Sequence, residues 1–184
     1  MLAFAAAEKL HLAPVGGGTR ATLGNPTQSL DLLVSTSRLD RITEYAPDDF
    51  VVTVQAGVRL SRLQAALAPQ AQWFPLDPPA TDPSTLGGIL SADASGPHRF
   101  LHGTARDLVI GVEAALPNGT VVRSGGRVVK NVAGYDFKKL FIGAIGTLGV
   151  ITSVSLKLQV IPEDETLIAA GFPDFKSAGA AAGA

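Results

Sequence analysis

Cysteine is absent from all 184 residues. Without a thiolate, the stretch can form no disulfide, no cysteine-ligated zinc or iron–sulfur centre and no c-type haem attachment. No metal site is expected. Histidine is scarce, with His11, His98 and His102 the only three, so imidazole chemistry has few possible addresses. An excess of basic charge is missing as well: 15 Lys and Arg against 16 Asp and Glu leave a net charge of −1. That balance argues against nucleic acid as a partner. Long apolar runs are also lacking. Met1–Ala7 has no basic n-region and runs into Glu8 and Lys9, which makes it a poor secretory signal. The uncharged run between Lys139 and Lys157 contains Gly143, Gly146 and Gly149, then alternates like a strand, and is slightly short for a bilayer. The expectation is a soluble, cytoplasmic protein with no transmembrane segment.

What the sequence does contain is apolar residues (46%), few charges (17%) and 20 glycines. That composition suits one globular domain or two small lobes sharing a core. Residues 2–10 read as the end of an amphipathic helix, and Leu12–Val15, Leu30–Ser35, Ile42–Tyr45 and Val51–Val54 as strands. A helix starting at Gly57 would bury Leu60, Leu63 and Leu67, keep Arg59 and Arg62 outside, and stop at Pro69. The stretch 75–83 carries Pro75, Pro78, Pro79 and Pro83, too many for a helix or an inner strand. It reads as a rigid connector between two lobes, 1–75 and 76–165. Thr85 or Ser84 caps a helix over 86–94, residues 95–107 form a loop, and 108–116 and 120–123 make a hairpin about Pro117-Asn-Gly119. Asp136 is placed to cap a short helix with Phe137, Leu140 and Phe141 on its inner face, after Gly134. The last strand alternates Val150, Thr152, Val154, Leu156, Leu158 and Val160 against Ser153, Ser155, Lys157 and Gln159. In 166–184 a strand (166–172) and a capped helix start at Pro173–Ser177 precede an Ala/Gly-rich tail, which suggests a further unit that is cut short.

Two stretches could carry ligand chemistry. Gly16-Gly17-Gly18-Thr19 follows a strand directly; successive backbone amides in such a turn form an anion nest, and Thr19 adds a hydroxyl. Neither the G-x-G-x-x-G spacing nor the lysine of a P-loop is present, so a plain turn is the other reading. Thr85-Leu86-Gly87-Gly88 opens a helix, where free amides and the helix dipole favour phosphate; a glycine-softened helix packed closely on a sheet is the alternative. Two such turns joined by a rigid connector suit a diphosphate, which needs many donors when it leaves water. Glycine also recurs along 124–152, at Gly125, Gly126, Gly134, Gly143, Gly146 and Gly149. There the backbone either wraps a flat polar ligand or folds tightly around nothing.

Several motifs add a family resemblance: Thr85-Leu-Gly-Gly88, Ser95-Gly-Pro-His-Arg99, Gly103-Thr-Ala-Arg-Asp107, Gly126-Arg-Val-Val-Lys-Asn-Val-Ala-Gly-Tyr-Asp136 and Gly143-Ala-Ile-Gly-Thr-Leu-Gly-Val-Ile151. Together they resemble the PCMH-type FAD-binding domain of the vanillyl-alcohol oxidase/p-cresol methylhydroxylase superfamily, and within it the GlcE-type subunits of glycolate oxidase. Catalytic sister subunits carry Ser-Glu-Gly-Thr-Leu-Gly where this chain has Ala144-Ile145-Gly146. The resemblance covers roughly residues 12–175. It implies an α+β fold of two lobes, a mixed-sheet lobe and an antiparallel-sheet lobe with flanking helices, with FAD between them. It implies that Gly16, Gly17, Gly18 and Thr19 line the first pyrophosphate loop, and that Thr85, Gly87, Gly88 and Ser91 contact the second phosphate and the ribityl chain. Ser95, Gly96, Gly103 and Thr104 would approach the flavin, and Val150 and Ile151 the adenine. Asp107 and Asp136 would fix loops through backbone amides. Lys130 is either near the cofactor or simply exposed.

The activity implied is hydride transfer from a small 2-hydroxy acid to FAD, within a complex containing a D-type flavoprotein and an iron–sulfur subunit. Localisation would be cytoplasmic, or peripheral at a membrane through those partners. With Thr19 in the first loop and no cysteine, the FAD is expected to be non-covalent. Relatives carry a substrate-covering domain, which here would begin near Leu167. His98 and His102 are either flavin or substrate contacts or ordinary loop histidines; His11 is given no role; Arg99 and Arg106 could bind a carboxylate, though Arg106 beside Asp107 is more simply an ion pair. A non-catalytic flavin-binding, assembly or electron-relay subunit is the alternative function, the partner carrying out the oxidation. No catalytic residue is identifiable, and an electron passed onward must go to another subunit, a quinone or oxygen.

Overall fold

The computed structural model describes residues 1–79, 82–126, 136–166 and 168–182. The expectations for Lys130, Gly134 and Leu167 lie outside the described residues. Helix α1 (Leu2–Ala7) leads into β1 (Leu12–Val15), which pairs in parallel with β2 (Leu32–Ser35). Parallel neighbours need a long crossover, and here residues 16–31 supply it, opening with the glycine run. Next come β3 (Ile42–Ala46), β4 (Val51–Gln55), α2 (Leu60–Leu67), β5 (Gln72–Trp73), α3 (Leu86–Ser91), α4 (Arg99–His102) and α5 (Ala105–Leu108). The chain continues with β6 (Val109–Ala115), β7 (Val121–Gly125), α6 (Lys138–Phe141), β8 (Val150–Lys157), β9 (Gln159–Val160) and α7 (Phe175–Ala182).

The central sheet is antiparallel, in the order β3-β4-β8-β6-β7, and β5 pairs with β9. Its five strands come from both sides of the 75/76 boundary. Period-two burial explains the inner strands: Val52, Val54, Val112, Val154 and Leu156 all turn inward. On them pack Leu63 and Leu67 of α2, Leu86, Ile89 and Leu90 of α3, and Phe74. Each such side chain contributes about 1.5–3 kcal/mol when fully buried. The expected mixed α+β architecture is therefore present.

Differences from the sequence expectations have local causes. Helix α2 begins at Leu60 rather than Gly57, because Gly57 donates its amide to the Leu39 carbonyl (2.8 Å) and lies against the Thr36 carbonyl. The 95–107 loop folds into α4 and α5. The alternation of β8 breaks at Thr152, where Glu113 faces Ser153 but Ala114 faces Ile151. Thr152 Oγ1 donates to the Glu113 carbonyl (3.1 Å) and carboxylate (2.7 Å), which fixes this bulge and buries both Val150 and Ile151. Val160, expected inside, is 59% exposed on β9.

No strand forms among the described residues of 166–172; Ile168 and Phe172 are exposed there, with no ladder partner. The helix expected after it does form: Asp174 accepts from Ser177 N (2.8 Å) and Oγ (2.9 Å), and α7 buries no residue. Asp136 does not cap α6. Its carboxylate meets Lys138 (2.8 Å) and Lys139 (3.3 Å) instead. Of the three expected inner residues of that helix only Phe141 is buried, at 7% exposure, against 56% for Leu140. Phe141→Ala should therefore lower unfolding free energy by about 3–5 kcal/mol in urea titrations, while Leu140→Ala should stay within about 0.5 kcal/mol of wild type.

Candidate functional site

The glycine run leaves β1 where Thr36 donates its amide (2.9 Å) and hydroxyl (3.3 Å) to the Val15 carbonyl. Among the described residues, the amides of Gly16, Gly17, Gly18 and Thr19 make no hydrogen bond within the chain. The run is pressed against the turn before α3. A Cβ on Gly16 would overlap the Thr85 hydroxyl, and one on Gly17 the Pro83 carbonyl oxygen. Only glycine permits this approach. Thr19 and Ser84 hydroxyls lie 3.0 Å apart, and Arg20 donates to Thr19 Oγ1 (3.2 Å), Ser84 Oγ (3.4 Å) and the Pro79 carbonyl (2.8 Å). The two turns singled out in the sequence therefore meet.

In the second turn, however, three of the four amides of Thr85–Gly88 are already taken. Leu86 N donates to the Val58 carbonyl (2.9 Å), Gly87 N to the Ala56 carbonyl (2.7 Å), and Gly88 N to Thr85 Oγ1 at a long 3.4 Å. A Cβ on Gly87 would lie 2.9 Å from that of Ala56. The helix start is thus locked onto the chain after β4 through Leu86 and Gly87, and Pro83, Ser84 and Thr85 form the wall behind the glycine run. At the far end of α3, the Leu90 and Ser91 carbonyls accept from Gly143 N (3.0 Å) and Ile145 N (2.8 Å). That brings the Gly143–Gly149 turn beside Pro14 and Gly24. Val150 and Ile151 leave this turn as buried members of β8, opposite Ala115 and Ala114.

Two clefts border the glycine run. One, of about 350 Å³, is lined by Thr19, Arg20, Thr22, Leu23, Ala92 and Ala94. The other, of about 800 Å³, runs from Gly16, Gly17 and Thr85 to Asp40, Arg59 and Arg62. In the larger, both arginines already have carboxylate partners, Asp82 for Arg59 (3.3 Å) and Asp40 for Arg62 (3.0 Å). The smaller presents a guanidinium and no carboxylate.

Beyond Ala94 lies a second cluster. Asp77 accepts from Gly96 N (Oδ1, 3.0 Å) and His98 N (Oδ2, 3.1 Å). Ser95 Oγ and Asp93 Oδ1 are buried without a partner among the described residues. Trp73, His98 and His102 form three edge-on ring pairs with centroids 5.4–5.9 Å apart. After Gly103, Thr104 gives its amide and hydroxyl to Asp107 Oδ2, both at 2.8 Å, and so caps α5. Arg106 pairs with Asp93 (3.6 Å) and the Ile142 carbonyl (3.0 Å) rather than with Asp107. His11 pairs with Asp31 (3.2 Å) across β1 and β2. Ser95, Gly96, Gly103 and Thr104 thus gather around α4, and Ala92–Ala94 join them to the glycine run.

A family described as "FAD binding domain" matches residues 1–125. The chain belongs to this FAD-binding domain family. The domain is 37% identical over 159 residues to glycolate oxidase subunit GlcE of Escherichia coli, covering 86% of this chain and 45% of that protein. It is 35% identical over 170 residues to the mitochondrial D-lactate dehydrogenase [cytochrome] of Arabidopsis thaliana, covering 92% and 30% respectively. To glycolate oxidase subunit GlcD of Bacillus subtilis it is 32% identical over 178 residues, covering 97% and 38%. Among solved structures, alkyldihydroxyacetonephosphate synthase shares the fold, with a TM-score of 0.74 at 23% identity over 89% of this chain and 30% of that one. The chain thus spans 30–45% of the length of these curated relatives.

The residues present fit FAD. Four amides with no partner among the described residues, in a turn whose Gly16 and Gly17 leave no room for a side chain against Thr85 and Pro83, and the orphaned Ser95 hydroxyl are features a polar dinucleotide would satisfy. Arg20 and Asp77 were not anticipated from sequence. Arg20 had a readable signal, a cation directly after the glycine run.

Asp107 gives a test of this local geometry. Hydrogen bonds from the Thr104 amide and then its hydroxyl hold its carboxyl below the ordinary 3.8. Because the folded pKa is depressed, the stabilisation is complete above the unfolded pKa and is lost as pH falls through the folded one. The urea midpoint of Asp107→Asn should lie below wild type by a constant amount above the ordinary carboxylate range and approach it as pH falls through the lowered folded pKa.

Proposed function

We propose that this chain is the FAD-holding part of a 2-hydroxy acid dehydrogenase of the glycolate oxidase type, with the cofactor bound non-covalently. The observation that carries this reading is the run of free amides at Gly16–Thr19, held open by contact with Pro83–Thr85. In the proposal those amides, with Arg20, take the diphosphate where the two clefts meet, Gly16 and Gly17 bordering the larger and Thr19 and Arg20 the smaller, which has no carboxylate in its lining. Ser91 and Thr85–Gly88 border the ribityl chain, Ser95, Gly96, Gly103 and Thr104 the flavin side, and Val150 and Ile151 the adenine end. When bound, FAD supplies the two-electron acceptor for oxidation of a hydroxyl-bearing carbon. The chain's own residues bind and orient it. Substrate is a small 2-hydroxy acid, and the partners are a D-type flavoprotein and an iron–sulfur subunit of a cytoplasmic or membrane-peripheral complex. Among the described residues, no helix is long and apolar enough to cross a membrane.

A second reading, a flavin-binding or electron-relay subunit whose partner oxidises the substrate, is favoured by one observation. The imidazoles of His98 and His102 are turned on to Trp73 and each other, and His11 is paired with Asp31. Both readings predict a yellow protein and separate on anaerobic addition of glycolate or D-lactate. Bleaching of the isolated flavoprotein supports the first; bleaching only with the partner subunits supports the second.

FAD at about 100-fold over its Kd should stabilise the wild type by about 2.7 kcal/mol in thermal or urea unfolding. Gly17→Ala, whose methyl meets the Pro83 carbonyl, should abolish that increment. An equal increment in both proteins would contradict the placement of the cofactor.

A further inference from the structure

Asp77 stands in Leu76-Asp77-Pro78-Pro79. An aspartate usually turns its carboxylate on to its own backbone amides just downstream, but the next two residues are prolines and have none. The side chain must find donors elsewhere. It finds two on one distant loop: one carboxylate oxygen takes Gly96 N at 3.0 Å and the other takes His98 N at 3.1 Å. The fit is close, since a Cβ on Gly96 would overlap the Asp77 carbonyl oxygen. The side chain is 25% exposed, so both bonds are charge-assisted and largely shielded from water. Between the two amides lies Pro97, which has no amide, and directly before them comes Ser95, whose buried hydroxyl has no partner among the described residues.

We infer that Asp77 is the positioning residue for the flavin-side loop, a bidentate clamp that holds Ser95–His98 in register. It fixes where the unspent Ser95 hydroxyl points. The inference rests on the reading of this domain as an FAD site, and it adds a residue to which neither the motif nor the glycine run points. The clamp also sets the ring cluster, because His98 meets Trp73 edge-on with centroids 5.5 Å apart. Trp73 is the only tryptophan in the chain, so its emission reports the loop without any cofactor.

The test compares wild type, Asp77→Ala and Gly96→Ala. The first variant removes the clamp; the second keeps the carboxylate but forces the loop off it. Tryptophan emission is recorded on each apo-protein, and FAD affinity and the visible flavin spectrum by titration. Both variants should show an altered Trp73 emission, a shifted flavin band and FAD affinity weakened by roughly tenfold or more, as expected for loss of hydrogen bonds to a charged group. Asp77→Asn, which keeps one acceptor, should recover part of each change. A wild type that binds no FAD overturns the cofactor reading and this inference with it. A wild type that binds FAD, beside Asp77→Ala and Gly96→Ala with unchanged affinity and spectrum, overturns the inference alone. If Asp77→Ala does not fold, the result with Gly96→Ala decides.

Discussion

The site depends on one close approach: the backbone of Gly16 and Gly17 lying flush against Pro83, Ser84 and Thr85. Nothing with a side chain could sit there, and the consequence is electrostatic as much as steric. With Gly16–Thr19 held as a turn against a wall of backbone, their amides find no carbonyl to satisfy among the described residues and stay available to a ligand. A peptide donor left without a partner away from water costs about 1–3 kcal/mol. Four such unpartnered amides in one glycine-rich turn suit negative charge. The hydroxyls of Thr19 and Ser84 (3.0 Å) and the Arg20 guanidinium on Ser84 (3.4 Å) lock the two turns together, and Arg20 also donates to the Pro79 carbonyl (2.8 Å).

The rest of the fold holds that wall still. Thr85 begins α3, and the first amides of α3 are bound to the Ala56 and Val58 carbonyls, so the turn is fixed to the chain directly following the central strand β4. The far end of α3 carries the Gly143–Gly149 turn on its last carbonyls, and that turn feeds β8, the partner of β4. One helix with a buried apolar face thus ties the glycine run, the turn and the central sheet into a single frame. Asp77 extends the frame to the loop at Ser95–His98. Such a division, rigid elements behind and short polar loops in front, is what a binding site for an extended cofactor requires.

Much of this was legible in the sequence, for reasons that can be named. Period-two alternation marked β4 and the outer half of β8, and the leucine spacing marked α2, because burial on one face leaves that pattern directly in the chain. The glycine run stood out because no other residue permits its contact. What could not be read were relations between distant segments. Whether the Leu86 and Gly87 amides were free depended on carbonyls about thirty residues away, and the Val58 and Ala56 carbonyls take them. The phase change at Thr152 depended on Glu113 across the sheet. In α6, three apolar residues on one face suggested burial, yet Leu140 is 56% exposed among the described residues. Arg106 chose Asp93 over the adjacent Asp107, whose carboxylate Thr104 had already taken. The motifs pointed to two turns that meet in the structure but not to Asp77, since a lone aspartate among prolines carries no pattern.

The most direct measurement is an amide NMR titration of glycine-¹⁵N-labelled protein with FAD. Binding through the first turn predicts that the resonances of Gly16, Gly17 and Gly18 move furthest, while Gly57 and Gly87, whose amides are already bonded to carbonyls, move little. Saturation with FAD that leaves Gly16–Gly18 unmoved while other glycine resonances shift would contradict the central role of the free amides.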